Sequence, residues 1–560
     1  MAESPSSLLR QLEHLRSVYG GEVRVQRLQL VRKLEQRRLR RGRDVFRLHE
    51  LLCFLRAYPD DEEVLAQVEG MLDRFDRRSD LRRHRAELVD TGIAGTDIYY
   101  SFYWVTARWL ARRWPDRLSI HWAEFDKQDR LGEILDLLLP YSETPGLDLV
   151  DYPARAWLER LRGAGETDAR FLIRRFEGLA ADATTRERLY EQMDVPLRLS
   201  PGPDTPCRTR AKYHRSEITF QTLSLSRRRP SLRRDVALGP PAVSALTARD
   251  GRNLIDLARE AMVTRSRDLD AFAYADENDV RMVGFERGLQ FAVLGLCPER
   301  RLMLETSYGL LTLKNGVPMG YALASSLFRS TEVAYNVFDT FRGGEAALIF
   351  ARFLGLVHHL FRSDTFIVDP YQLGHGNLEG LRSGAWWFYH KLGFRPIDAE
   401  VRRVARTELQ RMKTDPRHRS SIGTLKKSSA EPVFLYLDKP RKDVLGRIFL
   451  GNVGLRITDY LAERFGADRE AAIKVCSREA AHLVGLDSQA QLSPGERLAW
   501  ERWSPLVRVL PEIERWSASQ KRALLEVILA KGGRRESDYV LLFDRHRRLR
   551  EAVLELAKDA

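Results

Sequence analysis

The chain has 560 residues, enough for roughly three domains of the usual ~100–200 residues. Hydrophobic residues make up 44% of it and charged residues 30%, so it can build cores and is not disordered as a whole. Its 92 Lys and Arg residues outnumber the 78 Asp and Glu residues and leave a net charge of +14. That balance permits an anionic partner, such as a nucleotide or RNA, without requiring one.

The cysteines and the apolar segments exclude several further classes of protein. Four cysteines lie far apart with no C-x-x-C pair, which excludes a disulfide scaffold and a cysteine zinc cluster. Because no spacing typical of a metal site occurs elsewhere, we expect no metal. The first residues contain no long apolar run, and no stretch of 18 apolar residues occurs, so we expect neither a secretory signal nor a membrane span. A soluble, cytoplasmic, multidomain protein is predicted, with its oligomeric state left open.

The first 200 residues have the apolar spacing of helices, beginning with Leu8, Leu12 and Leu15 on one helical face. Residues 23–49 are strongly basic. They are typical of an amphipathic helix with a solvated arginine face, and the alternative is a face that binds RNA or phosphate.

A turn and a further helix are predicted near residue 96. Gly92 and Gly95 mark the turn, and Thr96 is a suitable N-cap. The apolar residues of this helix recur at helical spacing and are predicted to be core: Ile98, Phe102, Val105 and Trp109. The proline- and glycine-rich stretch 199–208 then predicts a linker, which a basic segment continues to about residue 235.

Strands alternate with helices from about residue 247. A helix at 247–272 precedes strands predicted at 279–285, 288–295, 304–314, 317–328 and 330–339. Asn315-Gly316 predicts a two-residue hairpin turn, because both residues accept a positive φ. A long apolar helix at 344–361, a strand at 365–369 that ends in a polar loop, a helix and strand at 383–396 and a strand at 431–438 follow.

The chain is predicted to be helical from about 441 to its end. Ser493-Pro494-Gly495-Glu496 has the pattern of a capping box, and four apolar residues after it are spaced for burial: Trp500, Trp503, Leu506 and Leu510. The predicted domains are a helical N-terminal module at 1–200, a basic linker at 201–240, an α/β domain at 241–440 and a helical C-terminal module at 441–560.

Two stretches of the α/β domain resemble the GNAT (N-acetyltransferase) superfamily of acyltransferases. VFDTFRGGEAA (337–347) is similar to the strand-to-helix turn V-x-P-x-Y-R-G-x-G-x-G/A of that family, and AWWFYHKLGFRP (385–396) is similar to its A-x-x-F-Y-x-K-x-G-F signature. The resemblance covers about 304–396. It implies an α/β fold with a GNAT-like mixed central sheet and helices, here flanked by N-terminal and C-terminal all-α modules. The order of the motifs also implies that the strands at 330–339 and 365–369 are adjacent and parallel, joined by the helix at 344–361.

The first stretch is the predicted site for the phosphates of a donor such as acyl-CoA or another phosphopantetheine thioester. Two glycines allow a tight turn, and the free amides of the following helix suit an anion. The cofactor-binding candidates are Phe341, Arg342, Gly343, Gly344, Glu345 and Ala346. Glu345 stands where the family keeps a glycine, and its charge would repel phosphates. Arg382 replaces an asparagine that the family places before its last helix.

The second stretch and the loop before it supply the catalytic candidates. The resemblance gives Tyr389 the role of donating a proton to the departing thiolate; the alternative is a packed core tyrosine. A base must also take a proton from the amine. His375, Glu379 and Asp369 are candidates because they follow a strand end, where α/β proteins tend to bind ligands.

Two functions are therefore predicted. The first is an acyl or aminoacyl transferase that moves an acyl group from a thioester or ester donor to an amine. Its donor could instead be an acyl carrier protein or a charged tRNA, held by the basic segments 23–45, 206–234 and 402–427. The second is a non-catalytic GNAT-like interaction protein that binds a protein partner or RNA.

Overall fold

The computed structural model describes residues 3–225 and 228–558. The chain forms two compact units. The first contains the residues up to Leu225 together with Asn253–Tyr274 and Lys314–Pro318. The second contains the segment that ends at Arg252, Ala275–Leu313 and the residues from Met319 onward.

Helices dominate the first unit, as its apolar spacing predicts. Its N-terminal helices are α1 Pro5–Leu15, α2 Gly21–Glu35, α3 Gly42–Ala57, α4 Glu62–Asp73, α5 Ser79–Arg83, α6 Trp104–Arg113, α7 Gln128–Glu133, α8 Leu135–Leu138, α9 Thr144–Leu149, α10 Ala154–Leu161, α11 Asp168–Glu177 and α12 Ala183–Met193. It also contains a small antiparallel sheet of β1 Ile98–Tyr100, β2 Leu118–Ile120 and β3 Leu197–Leu199, in the order β1-β3-β2.

The small sheet corrects part of the sequence prediction. Gly92 and Gly95 have positive φ and form the predicted turn, but no helix starts at Thr96. Ile98 lies in β1, which pairs with β3, and α6 begins only at Trp104. The helical spacing was misleading here because an aromatic and β-branched stretch suits a strand as well as a helix. Pairing with a distant strand favoured the strand.

The segment around Pro201 packs within the first unit. Thr205, Cys207 and Thr209 are buried there, and Arg56 donates from Nη1 to the Thr209 carbonyl at 2.6 Å. In the basic N-terminal segment, α2 buries Arg27, which pairs with Asp60, while neighbouring cations face solvent. That helix therefore has an apolar side, a solvated basic side and one cation held inside by a carboxylate.

The second unit contains most of the remaining elements. They run in chain order as α13 Leu232–Ala237, β4 Ala242–Ala245, α14 Ala248–Val263, α15 Asp270–Ala273, β5 Ala275–Gly284, β6 Leu289–Leu296, β7 Thr306–Lys314, β8 Val317–Leu327, β9 Ser330–Val337, α16 Ala346–Phe361, β10 Thr365–Val368, α17 Pro370–Leu373, α18 Leu378–Ser383, α19 Ala385–Leu392, β11 Arg395–Pro396, α20 Ala399–Thr414, α21 Ile422–Ser428 and β12 Val433–Tyr436. Helices α14 and α15 fall largely in the first unit.

Nine strands form one mixed sheet in the order β11-β12-β10-β9-β8-β7-β6-β5-β4. An α/β fold with a large mixed sheet is thereby confirmed. Asn315 and Gly316 both have positive φ in the turn between β7 and β8, as predicted. β9 and β10 pair in parallel, whereas β8 with β9 and β10 with β12 pair antiparallel. The predicted parallel neighbourhood of the strands at 330 and 365 is also confirmed.

Helix α16 connects the two parallel strands and is buried along most of its length. Its Gly355 faces the backbone of α13, where a Cβ would make an ordinary contact at 3.4 Å from the Val236 carbonyl oxygen. Parallel strands need such a crossover, and an apolar helix covers the sheet face that the crossover passes.

The C-terminal residues form six helices: α22 Gly451–Phe465, α23 Arg469–Val484, α24 Pro494–Val509, α25 Ala518–Gly532, α26 Glu536–Arg545 and α27 Arg547–Leu556. The capping box at Ser493 is present, and the four apolar residues predicted behind it are buried. No helix among the described residues is long and apolar enough to cross a bilayer.

A buried charge network ties these helices to the sheet. Lys531 donates to Glu536 Oε1 at 2.5 Å and to the Glu305 carbonyl at 2.8 Å, and both side chains of the pair are at most 4% exposed. Arg301 donates to the Lys531 carbonyl at 2.7 Å. Burial lowers the pKa of Lys531, and Glu536 opposes that change. The carboxylate of Glu536 compensates the charge of the buried lysine.

We expect Glu536→Gln to lower the free energy of unfolding by about 3–5 kcal/mol, because it leaves Lys531 charged and unpaired in the interior. Chemical denaturation at pH 7 measures this. The matched control is Glu551→Gln, which opens the exposed Arg547–Glu551 pair and should change the free energy of unfolding by about 0.5 kcal/mol or less. Equal effects of the two variants would contradict the role assigned to the buried pair.

Candidate functional site

The parallel strands β9 and β10 separate after a short pairing. Ser330, Thr331 and Glu332 pair with Thr365, Phe366 and Ile367, and the pairing ends there. β9 continues to Val337, whereas β10 ends at Val368. The edge of β9 beyond Glu332 is therefore not paired with β10, and we call this opening the fork.

Glu332 stands at the mouth of the fork with unusual electrostatics. Its side chain is exposed to solvent, yet enough protein surrounds it for solvation to be lost. This loss, together with the smaller effects of the charges of Asp369 and Glu305, raises the pKa of Glu332 to about 7. A carboxyl group with a pKa near neutrality and access to solvent is suited to accept a proton.

The two faces of β9 differ in character because side chains alternate along a strand. Glu332, Ala334 and Asn336 share one face. Asn336 Oδ1 is buried there, and no donor reaches it from the described part of the chain. Tyr335 lies on the opposite face, where its ring packs against Phe350 of α16 at 5.3 Å between centroids. The fork thus has a polar side and an aromatic side.

Tyr389 lies in an aromatic cluster on the α16 side. Its ring is 5.5 Å from that of Phe350 and 5.7 Å from that of Phe394, and the residue is 3% exposed. Burial raises the pKa of Tyr389 above its usual range, against the effect of a hydrogen bond with the backbone of Tyr335. The phenol is therefore held protonated and placed beside the unpaired stretch of β9.

The predicted phosphate loop is a tight turn into α16. Phe341 is buried, whereas Gly343 has φ +83° and open space around it. Arg342 pairs with Asp339 at 2.6 Å and with Glu379 at 2.5 Å. The helix begins at Ala346, whose carbonyl accepts from the Tyr335 hydroxyl at 3.2 Å, and Gly344 is half-buried just before it.

Glu345 occupies the N-cap position of α16 without capping the helix through its side chain. Its carboxylate is 2% exposed and pairs with Arg287 at 3.0 Å. Arg287 belongs to the turn between β5 and β6, and the adjacent Glu286 pairs with Arg352 of α16 at 2.5 Å. The two crossed pairs attach the hairpin turn to the helix. They also place a cation beside the carboxylate that would otherwise repel phosphate.

Several residues of the polar loop after β10 have a structural role. Asp369 caps α17 by accepting from the Tyr371 amide at 2.8 Å, and Asn377 caps α18. Glu379 reaches Arg342, which links this loop to the phosphate loop. His375 is exposed. The fold therefore brings Asp369 near Glu332 and Glu379 to Arg342, and shows no contact that joins His375 to either.

Sequence reasoning missed Glu332, Asn336 and Arg287. A single carboxylate on a strand carries no motif, and its environment depends on where the neighbouring strand stops. The one signal that could have found Glu332 was its position near the start of β9, opposite the strand that ends at the polar loop. Arg287 required knowledge that its hairpin turn meets α16.

No group of three or more His, Cys, Asp or Glu side chains within residues 3–225 and 228–558 is arranged to hold a metal ion. Comparison with known proteins found no family model, no curated protein and no solved structure that matches the chain.

The raised pKa of Glu332 has a measurable effect on stability. Between about pH 4.5 and pH 7 the folded state binds a proton that the unfolded state releases, so ionisation of Glu332 costs stability as the pH rises. We expect Glu332→Gln to stabilise the protein at pH 8 and to have a smaller effect at pH 5. Thermal unfolding at the two pH values measures the difference.

The control for that measurement is Glu400→Gln. Arg403 lowers the pKa of Glu400, so its ionisation favours the folded state and the variant should not gain stability at pH 8. A Glu332→Gln variant that behaves like this control would show that Glu332 is not desolvated.

Proposed function

We propose that this protein is a GNAT-like transferase that moves an acyl or aminoacyl group from a thioester or ester donor to an amine. The observation that carries the proposal is the fork, with a proton acceptor of pKa about 7 at its mouth and a protonated phenol on its other side. The order of the strands around the fork and the turn into α16 agree with the resemblance of the sequence to that family.

The acceptor amine approaches from the polar face of β9. Three carboxyl groups create a negative potential there, which attracts a protonated amine: Glu305, Glu332 and Asp369. Glu332 removes the proton, directly or through water. The buried Asn336 Oδ1 lies further along the same face and can accept a hydrogen bond from another part of the acceptor.

The donor enters the fork from the aromatic face. The amine nitrogen attacks the acyl carbon, the bond from that carbon to sulfur or oxygen breaks, and Tyr389 gives its proton to the leaving group. Glu332 and Tyr335 are three residues apart, roughly 10 Å along a strand, and Tyr389 contacts the backbone of Tyr335. This spacing allows acid and base to act on opposite sides of one acyl group.

Donor phosphates would lie against Arg342, Gly343, Gly344 and the first turn of α16. A CoA-like donor or an acyl carrier protein supplies a phosphopantetheine thioester, whose sulfur is the leaving atom. Arg287 screens Glu345, so the N-terminus of α16 does not present a bare negative charge. Arg342 must exchange Asp339 or Glu379 for phosphate, a replacement of one anion by another.

A non-catalytic interaction protein is the second candidate. The observation that favours it is that the charged residues of the phosphate loop already have ion-pair partners. Glu345 pairs with Arg287, and Arg342 pairs with two carboxylates. In that case these pairs fix the loop, and the site has lost its donor.

The first test measures transfer itself. We expect thiol release from acyl-CoA thioesters or acyl carrier protein to require an added primary amine and to rise with pH through about 7, as Glu332 ionises. Glu332→Gln should lower turnover ~10²-fold or more. A panel of short- and long-chain thioesters with free-thiol detection measures both. Release unaffected by Glu332→Gln would remove Glu332 as the base, and no release from any donor would favour the second candidate.

The second test concerns the phosphate loop. Glu345→Gln keeps the buried shape and removes the negative charge that would repel a phosphate at the start of α16, so CoA affinity should rise roughly tenfold. The matched control is Glu286→Gln, which opens the neighbouring Arg352 pair and should change affinity less than about twofold. Calorimetric titration measures both. Lack of CoA binding by the wild type and by Glu345→Gln would exclude CoA as the donor.

A further inference from the structure

A cavity of about 630 Å³ lies beside the β11 edge of the large sheet. Its walls come from the segment that leads into α13, from the end of α19, from β11 and β12 and from the residues after β12. The fork lies between β9 and β10, so the cavity is separate from the proposed transferase site. Its volume falls in the range of sites that hold small molecules.

Five arginines line this cavity: Arg229, Arg233, Arg395, Arg402 and Arg447. Asp438 is the one carboxylate among the described lining residues, whose five positive charges and one negative charge leave a net +4. None of the five forms an ion pair with any carboxylate in the described part of the chain, although ion pairs of arginine occur elsewhere in this unit, as between Arg403 and Glu400 at 2.5 Å.

The positive field reaches the neighbouring groups. Burial, together with the smaller effects of the charges of Arg395 and Arg229, lowers the pKa of His390 to about 4. Arg395 donates from Nη1 to the carbonyls of His390 and Phe394 at 2.7 and 2.8 Å, which fixes its guanidinium beside the cavity. Its pKa is lowered by burial and by Arg229. Arg395 and Arg229 thus lie close enough for their charges to repel, and an anion bound beside them would relieve that repulsion.

The rest of the wall is apolar or aromatic. Leu392 and Phe434 are buried beneath the arginines, and Phe434 stacks on Tyr436 with a ring angle of 10°. The Tyr436 hydroxyl is buried, and within residues 3–225 and 228–558 no partner bonds it. A ligand that filled the cavity would therefore meet cations at the rim, an apolar floor and one free hydroxyl.

We propose that this cavity binds an organic diphosphate, a small molecule that carries its phosphates on an apolar or aromatic body. Guanidinium groups bind phosphate oxygens in paired hydrogen bonds, and five of them suit more than one phosphate. The apolar floor suits the body of the ligand. An extended nucleic acid would use a groove open along its length, whereas this charge surrounds a recess. The inference does not depend on the transferase reaction.

Calorimetric titration of the full chain with inorganic pyrophosphate, ADP and geranyl diphosphate tests the proposal. We expect at least one organic diphosphate to bind ~10-fold or more tightly than pyrophosphate, because only the organic ligands cover the apolar floor. Failure of all three to bind would overturn the proposal. Pyrophosphate binding as tight as that of both organic ligands would also overturn it.

Paired variants locate the binding site. Arg233→Gln/Arg402→Gln removes two lining arginines and should weaken organic diphosphate binding ~10²-fold or more, about tenfold for each charged contact. The control Arg234→Gln/Arg403→Gln changes the adjacent residue on each helix, neither of which lines the cavity. It removes the same net charge and should weaken binding less than about threefold.

Equal losses of diphosphate affinity in the two double variants would overturn the proposal. They would show that the ligand binds elsewhere or responds only to the overall positive charge of the surface. Binding of a single-stranded oligoribonucleotide is measured in the same way. If it binds through Arg233 and Arg402 and pyrophosphate does not displace it, the surface recognises nucleic acid and the proposal fails. If transfer activity is absent but the diphosphate binds as described, the cavity inference stands without the transferase.

Discussion

The brief parallel pairing of β9 with β10 is the constraint on which the candidate site depends. A parallel pair requires a crossover, and α16 provides it. β9 has eight residues and β10 four, so the longer strand must expose backbone groups that the shorter one cannot meet. Those groups need other partners. The bond between Tyr389 and the backbone of Tyr335 meets one of these needs, and the rest of the edge is where a donor could bind.

Charge pairs hold the turn into α16 against the first hairpin of the sheet. Glu286 and Arg287 are adjacent in one turn, yet each binds an opposite charge on the helix or at its start. Removing a partner from the buried Glu345 would leave a desolvated charge, which costs more than the pair itself contributes. The same glutamate that departs from the family pattern is therefore explained by its packing. Its effect on an anionic ligand depends on Arg287, which lies 58 positions earlier in the chain.

Local sequence patterns were sufficient to predict the structure where all the interacting groups lie within one short stretch of the chain. Asn315-Gly316 forms the predicted turn because both residues tolerate a positive φ, and the capping box at Ser493 forms because its donors and acceptors lie within one turn. The parallel strands followed from the order of elements. The prediction of a helix directly after Thr96 was wrong because β1 pairs with β3, which lies about a hundred positions away. Glu332 was missed for a similar reason: its pKa is set by Asp369 and Glu305, which a sequence does not place beside it.

The second unit contains both buried ion pairs and clusters of like charge, and the clusters indicate where charged ligands could bind. Lys531 with Glu536 and Arg441 with Asp364 show that the fold can provide a counter-ion even for buried groups. At two places in the described part of the unit, charges of one sign lie together instead. Three carboxyl groups share the mouth of the fork, and five arginines surround the cavity beside β11. Like charges brought together destabilise the folded state, and a sequence selected for stability alone would replace some of them. Their opposite signs fit opposite ligands: a cationic amine at the fork and an anionic phosphate at the cavity.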